Sequence, residues 1–219
     1  MTAALIAALP EIPQDLATPQ PPRQERSRRT FERLLAASLE VFREKGYEGA
    51  SLEEIAARAG GGVGTFYGRF RGKRQAVVLL MHRYLREDLA PGIASLDFTH
   101  DPLASLERLM RRILVPEGPF AGFWRAWHQA VEKDRALEAY DESVRAWAQA
   151  AIEHAINRAA AVRPVRPDLD PAVTAYLIRA MLWRLGVTNV VEPEAVVRAT
   201  ARMVFHAICP DLPADGSAA

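Results

Sequence analysis

The chain has 219 residues, 49% hydrophobic and 25% charged, which is enough to bury a sizeable core in one or two domains. Its net charge is only +1, but residues 23–74 hold 12 Lys/Arg against 7 Asp/Glu, a local excess of +5 that reads either as a surface for a polyanion or as a solvated face. The single cysteine, Cys209, excludes an intramolecular disulfide framework, and no stretch approaches the ~20 apolar residues of a membrane span, so the expected setting is the reducing cytoplasm, with no membrane partner.

Residues 1–25 open with MTAALIAALP, which has no basic run ahead of its apolar stretch and so does not read as a signal peptide. Pro10, Pro13, Pro19, Pro21 and Pro22 follow, and predict a disordered arm. Arg23, Arg26, Arg28 and Arg29 at its end read either as contacts to phosphates or a minor groove or as a solvated tail. From Ser27 or Thr30 to Lys45, the apolar stripe Phe31, Leu34, Leu35, Leu39 and Phe42 predicts a helix ended by Gly46, with Tyr47 packed beneath the next helix.

The stretch from Ser51 to Arg74, SLEEIAARAGGGVGTFYGRFRGKR, reads as two short helices around a glycine turn, followed by a basic cluster. Ser51 and Glu54 have capping-box spacing, in which the hydroxyl and the carboxylate each take an orphan backbone N–H. Leu52, Ile55, Ala56 and Ala59 form one apolar face, and Gly60 suits a left-handed helix end. Val63, Phe66, Tyr67 and Phe70 resume the helical pattern, with Phe66 and Phe70 assigned to the core. Arg69, Arg71, Lys73 and Arg74 then place four positive charges within six residues. This is the layout of a helix-turn-helix, whose second helix enters the DNA major groove.

Residues 28–80 resemble the N-terminal domain of the TetR family of transcriptional regulators. The resemblance is carried by the lead helix RRTFERLLAASLEVFREKGYEGAS, by Ile55, Ala56, Ala59 and Gly60, by Gly64-Thr65-Phe66-Tyr67, and by Phe70 ahead of Gly72-Lys73. It covers about a quarter of the chain. Members commonly carry a Val-Ser-Lys-like run where this chain has Gly61, Gly62 and Val63, and an aromatic or His at Gly68; bare glycines offer no side chain to read a base.

Beyond the basic cluster, Lys73 to about Ala90 is expected to form a fourth helix, with Val77, Leu80, Met81, Tyr84 and Leu85 inward, stopped by Pro91-Gly92. Further helices are expected at 101–114, 119–134, 137–162, 169–188 and 193–208, with a loop at 162–168 and a disordered tail over 211–219. Asp101-Pro102, Asp170-Pro171 and Glu192-Pro193 suit helix starts.

Other chemistry is hard to assemble. Gly60, Gly61, Gly62, Gly64 and Gly68 miss the dinucleotide-loop spacing and follow a helix instead of a strand. The five histidines form no metal-spaced pair, and no nucleophile, base and orienter can be named. The expectation is a non-enzyme without metal or cofactor.

Two features remain. Phe120, Phe123, Trp124, Trp127 and His128 crowd nine positions, with Trp147 a further candidate, and read either as core or as an apolar effector pocket. In the last two helices, Ile178, Leu182 and Leu185, then Val196, Thr200, Met203 and Val204, form stripes that read as a dimer surface or as internal packing; the resemblance favours the dimer.

The sequence therefore predicts an all-α chain with two domains. A three-helix helix-turn-helix domain occupies 26–74, with its motif at 51–70, and a helical effector-binding and dimerisation domain occupies 75–210. The expected function is a homodimeric regulator of the TetR kind, a repressor released from a palindromic double-stranded operator by a small apolar effector. The alternative is an all-α enzyme or small-molecule carrier that retains the motif. Candidate DNA contacts are Ser51, Val63, Gly64, Thr65, Tyr67, Arg69, Arg71 and Lys73, with Arg69 the candidate guanine reader.

Overall fold

The computed structural model describes residues 1–16, 23–115, 122–187 and 192–210. Every regular element among them is helical. The expected tail over 211–219 lies outside the described residues.

The N-terminal head is built on α2 (Glu25–Gly49), whose face of Phe31, Leu34, Leu35, Val41 and Phe42 is wholly buried. The helix breaks at Gly46, where φ is +73°, a left-handed value that glycine adopts without a Cβ penalty. Helix α3 (Leu52–Arg58) begins at Ser51, whose Oγ accepts the Glu54 N–H at 3.1 Å. Only this half of the expected capping box forms. The Glu54 carboxylate turns to Lys45 Nζ at 2.7 Å and Arg58 Nη2 at 3.2 Å, because two cations attract it more than one backbone N–H does. At its end, Gly60 N–H donates to the Ala57 carbonyl and Gly61 N–H to the Ala56 carbonyl, a Schellman closure with Gly60 at φ +76°. Helix α4 (Val63–Tyr67) follows, seated by Phe66 against Phe70, which stacks on Phe31.

Helix α5 (Lys73–Tyr84) runs into a π-helical turn (Leu85–Leu89) and on into α6 (Ala90–Ala94). The expected stop at Pro91-Gly92 is therefore corrected. Pro91 has no N–H for a normal helical bond, and the widened turn, with Ala90 N–H reaching the Leu85 carbonyl, carries the rod past it.

Beyond the rod lie α7 (Pro102–Leu114), α8 (Phe123–Val131), α9 (Arg135–Ala160), α10 (Pro171–Val187) and α11 (Pro193–Ile208). Asp101, Asp134 and Asp170 accept first-turn N–H groups of α7, α9 and α10, fixing where those helices begin. Helix α8 packs along α2, α10 along α9, and α11 along α7.

Residues 1–16 are not the disordered arm expected there. Helix α1 (Thr2–Ala7) lies against α6, and Leu5 and Leu16 are buried. Trp147 Nε1 donates to the Leu5 carbonyl at 3.2 Å. The prolines leave these two leucines free to bury, and burial outweighs the entropy of a short segment.

Candidate functional site: an open helix-turn-helix face and an apolar cavity

The outer face of the helix-turn-helix is nearly bare. Ser51, Gly62, Gly64, Thr65, Tyr67, Gly68 and Arg71 are exposed and Val63 is half-buried. Tyr67 turns 58% of its surface to solvent, its ring edge-on to Phe66. No atom lies within 4 Å of where a Cβ would project from Gly62 or Gly64, so these glycines leave open space along this face. The Arg71 guanidinium makes no ion pair among the described residues; its backbone N–H donates to Gln75 Oε1 at 2.7 Å.

Two candidate contacts are already committed inside the chain. Arg69 Nη2 donates to Ser27 Oγ at 3.0 Å, tying the loop after α4 to the start of α2. Lys73 Nζ donates to the carbonyls of Tyr47 and Ala50 at 2.7 and 2.9 Å and sits 4.7 Å from the Tyr47 ring centroid. Burial pushes the Lys73 ammonium below its ordinary pKa. Lys73 thus braces the end of α2, where sequence had suggested only a phosphate anchor.

The head is joined to the helices beyond the rod chiefly through α8. Gln129 Oε1 accepts the Tyr47 N–H at 2.8 Å, Arg125 Nη2 donates to the Arg43 carbonyl at 3.0 Å, and Lys133 pairs with Glu48 at 2.9 Å. Arg74 pairs with Asp134 at 2.8 Å just beyond. Nothing in the local sequence marked Gln129 as a junction residue; its partner lies 82 positions away.

Behind this junction lies an apolar cavity of about 60 Å³, walled by residues of the rod (Tyr84, Leu89, Ile93), by Leu109, Trp124 and Ile152, and by Arg179, Leu182 and Trp183 of α10. A second void of about 40 Å³ shares Ile93, Leu109, Ile152 and Leu182 with it. A wider groove of about 560 Å³ opens between α8 and α10, lined by Arg125, His128, Gln129, Glu132, Tyr176, Arg179, Trp183 and Arg184.

The aromatic cluster divides among several jobs. Trp124 lines the cavity and His128 the groove. Phe123 and Trp127 line neither; both are fully buried, and Trp127 Nε1 donates to Asp141 Oδ1 at 2.6 Å. Trp147 is held by the Leu5 carbonyl. Phe120 lies outside the described residues. The spacing of α8 turns 123 and 127 onto its buried face, where they complete the core.

The expected dimer stripes need a larger correction. Ile178, Thr200 and Val204 are buried within the chain's own core, Leu182 lines the cavity, and Leu185 and Val196 are half-buried against the core. Of that set only Met203 is exposed, at 60%. The apolar side chains presented outward are Val173, Tyr176 and Leu177 on α10, with Met203 on α11.

Among the described residues no helix is long and apolar enough to cross a membrane, and no group of three His, Cys, Asp or Glu could hold a metal ion.

Comparison with known proteins agrees with this geometry. Residues 34–77 match the family model of the bacterial regulatory proteins, tetR family. An HTH-type transcriptional regulator from the lacX 3' region of Lactococcus lactis subsp. lactis is 31% identical over 86 residues; the match spans 38% of this chain and 43% of that protein. Among solved structures, NalD of Pseudomonas aeruginosa, the secondary repressor of the MexAB-OprM multidrug efflux pump, superposes with a TM-score of 0.64 at 21% identity, covering 86% of this chain and 100% of that one. The SmeT–triclosan complex gives a TM-score of 0.64 at 24% identity over 84% of this chain and 95% of that one; SmeT represses the SmeDEF multidrug efflux pump of Stenotrophomonas maltophilia. At these identities the likeness is one of fold.

Proposed function

We infer that this chain, whose residues 34–77 match the tetR family of bacterial regulatory proteins, is a homodimeric DNA-binding transcriptional repressor that a small-molecule effector releases from its operator. The observation that carries this reading is the helix-turn-helix itself. Its outer face is open, its core is locked by Phe66 and Phe70, and it lies in the one segment with a net positive excess. Thr65 and Tyr67 from α4, with Ser51, Val63 and Gly64 beside them, contact DNA, and Arg71 anchors a phosphate. A two-fold pair joined through Val173, Tyr176, Leu177 and Met203 presents two heads to a palindromic site.

The cavity supplies the switch. At about 60 Å³ it is well below the ~150 Å³ that a benzene-sized ligand fills. A ligand therefore has to part its walls. Those walls belong to the α5–α6 rod, whose first residue braces α2, and to α8, whose Gln129 holds the α2 kink. A conformation with parted walls is thus one in which the head is repositioned, as coupling between two sites requires. The likeness to a protein solved with triclosan supports a small-molecule ligand.

The test is retention of genomic fragments by the purified chain over a salt series. Binding at low salt that falls steeply as counterions compete is expected. Failure to retain any fragment at low salt would sink the reading.

A further inference from the structure

The seam between α8, α9 and α10 collects buried polar atoms that have no hydrogen-bond partner. Trp183 Nε1, Arg179 Nε, Arg145 Nε and His128 Nε2 are all buried, and none has a hydrogen-bond partner. They converge on one place. The Arg145 guanidinium lies 5.4 Å from the Trp183 ring centroid, and the His128 ring is 6.0 Å from it. Arg179 and Trp183 line both the inner cavity and the outer groove, and so form the wall between them.

Folded proteins leave few buried donors unsatisfied, and these atoms find no partner among the described protein groups. Three indole or guanidinium donors around one wall is a concentration that an acceptor-rich group would relieve. The charge balance points the same way. Arg145 has Asp141 as its counter-ion, but Arg179 makes no salt bridge among the described residues; its guanidinium is held over the Tyr176 ring, 5.1 Å from the centroid. The groove beside it is lined by Arg125, Arg184 and Glu132. Burial pushes the His128 imidazole below its ordinary pKa, so the seam's positive charge is carried by its arginines.

We propose that this seam binds an amphipathic anion: an apolar body occupies the inner cavity, and a carboxylate or comparable acid group is held at the wall by Arg179 and Trp183. The wall between an apolar chamber and a cationic groove suits a molecule with those two ends. A carboxylate accepts from a guanidinium and an indole N–H together, and such charge-assisted bonds are the strong ones. This deepens the effector reading above and rests on it.

Octanoate, octanol and octylamine share one apolar body and differ in the head, so they separate the two ideas. Titrate each into the full-length protein while following tryptophan fluorescence and thermal unfolding. Octanoate is expected to bind about tenfold or more tighter than octanol, with octylamine weakest. Arg179→Gln should bring octanoate down to the affinity that octanol has for the same variant, and octanol binding by that variant shows that the cavity remains folded. Trp183→Phe, which keeps a ring but removes the N–H, should narrow the preference as well. If octanol binds but octanoate has no advantage, or if the preference survives both substitutions, the anion site is overturned and the cavity reading stands. If none of the three binds, the cavity reading falls and takes this proposal with it. If Arg179→Gln weakens self-association while leaving head-group preference intact, the donors serve the subunit partner and the proposal is likewise overturned.

Discussion

Gln129 on α8 accepts the N–H of Tyr47 at 2.8 Å, at the point where α2 breaks. A Cβ on Gly46 would stand 2.4 Å from that same amide oxygen, and Gly46 has φ +73°. The kink and the amide therefore require each other. Gly46→Ala should lower stability by about 1–3 kcal/mol, from the left-handed strain plus displacement of Gln129. Gln129→Ala should cost less in folding but loosen the head from α8. The expected signature is operator affinity retained in the absence of ligand and a smaller loss of affinity when octanol or octanoate is present. Denaturant melts and operator titrations with and without the probe measure both. An unchanged ligand response in Gln129→Ala would transfer the coupling to the α5–α6 rod alone.

Gly64 separates stability from recognition. It is exposed in α4, and a Cβ there would meet no atom within 4 Å. Gly64→Ala should therefore stabilise the free protein by about 0.5–1 kcal/mol, because alanine loses less backbone freedom in a helix. If DNA lies against this face, the added methyl should weaken operator binding at the same time. A variant that is more stable and binds DNA as tightly as the parent would show that the backbone at Gly64 does not approach DNA closely.

Arg71 and Arg69 stand close in sequence and in different situations. The Arg71 guanidinium is exposed and makes no ion pair among the described residues, whereas Arg69 is tied to Ser27 on α2. Arg71→Ala should weaken binding about equally across operator variants and flatten the salt dependence, as loss of a phosphate contact does. Arg69→Ala should also act uniformly, through the position of α2. A loss of discrimination at one base pair, worth about 1–3 kcal/mol, would show instead that Arg69 leaves Ser27 on binding and reads a base.

What could be read from sequence was what short-range chemistry decides. Ser51, Gly60 and the Phe66–Phe70 spacing fix the turn within twenty residues, and each acts through neighbours on the same short segment. The stripes of α10 were not legible, because apolar residues surround the helix. Ala175 is wholly buried and Leu177, two positions on, is 60% exposed, although periodicity alone ranks leucine as the better core residue. Pro91 misled for a related reason. A proline stops an α-helix, but a π turn just before it is a tertiary solution that only packing can favour. The cavity draws walls from the rod and from α7 through α10, and no local pattern brings those residues together.

The outward stripe on α10 and α11 carries the last prediction. Val173, Tyr176, Leu177 and Met203 are all more than half exposed, an uncommon concentration of large apolar surface for a helix pair that has inner faces of its own. Placing charge there tests whether a second copy covers it. Leu177→Lys with Met203→Lys should leave the monomer fold intact, since both side chains already face water. A cation buried without a partner at a subunit interface costs several kcal/mol, so the pair should shift a dimer to monomer at micromolar concentration. Sedimentation velocity reads the mass, and circular dichroism checks that the helices survive. Operator binding should fall in parallel, because one head grips one half-site with only part of the paired affinity. Unchanged mass would move the interface elsewhere. Conversion to monomer with operator affinity preserved would mean that single heads suffice, and would remove the palindrome from the proposed function.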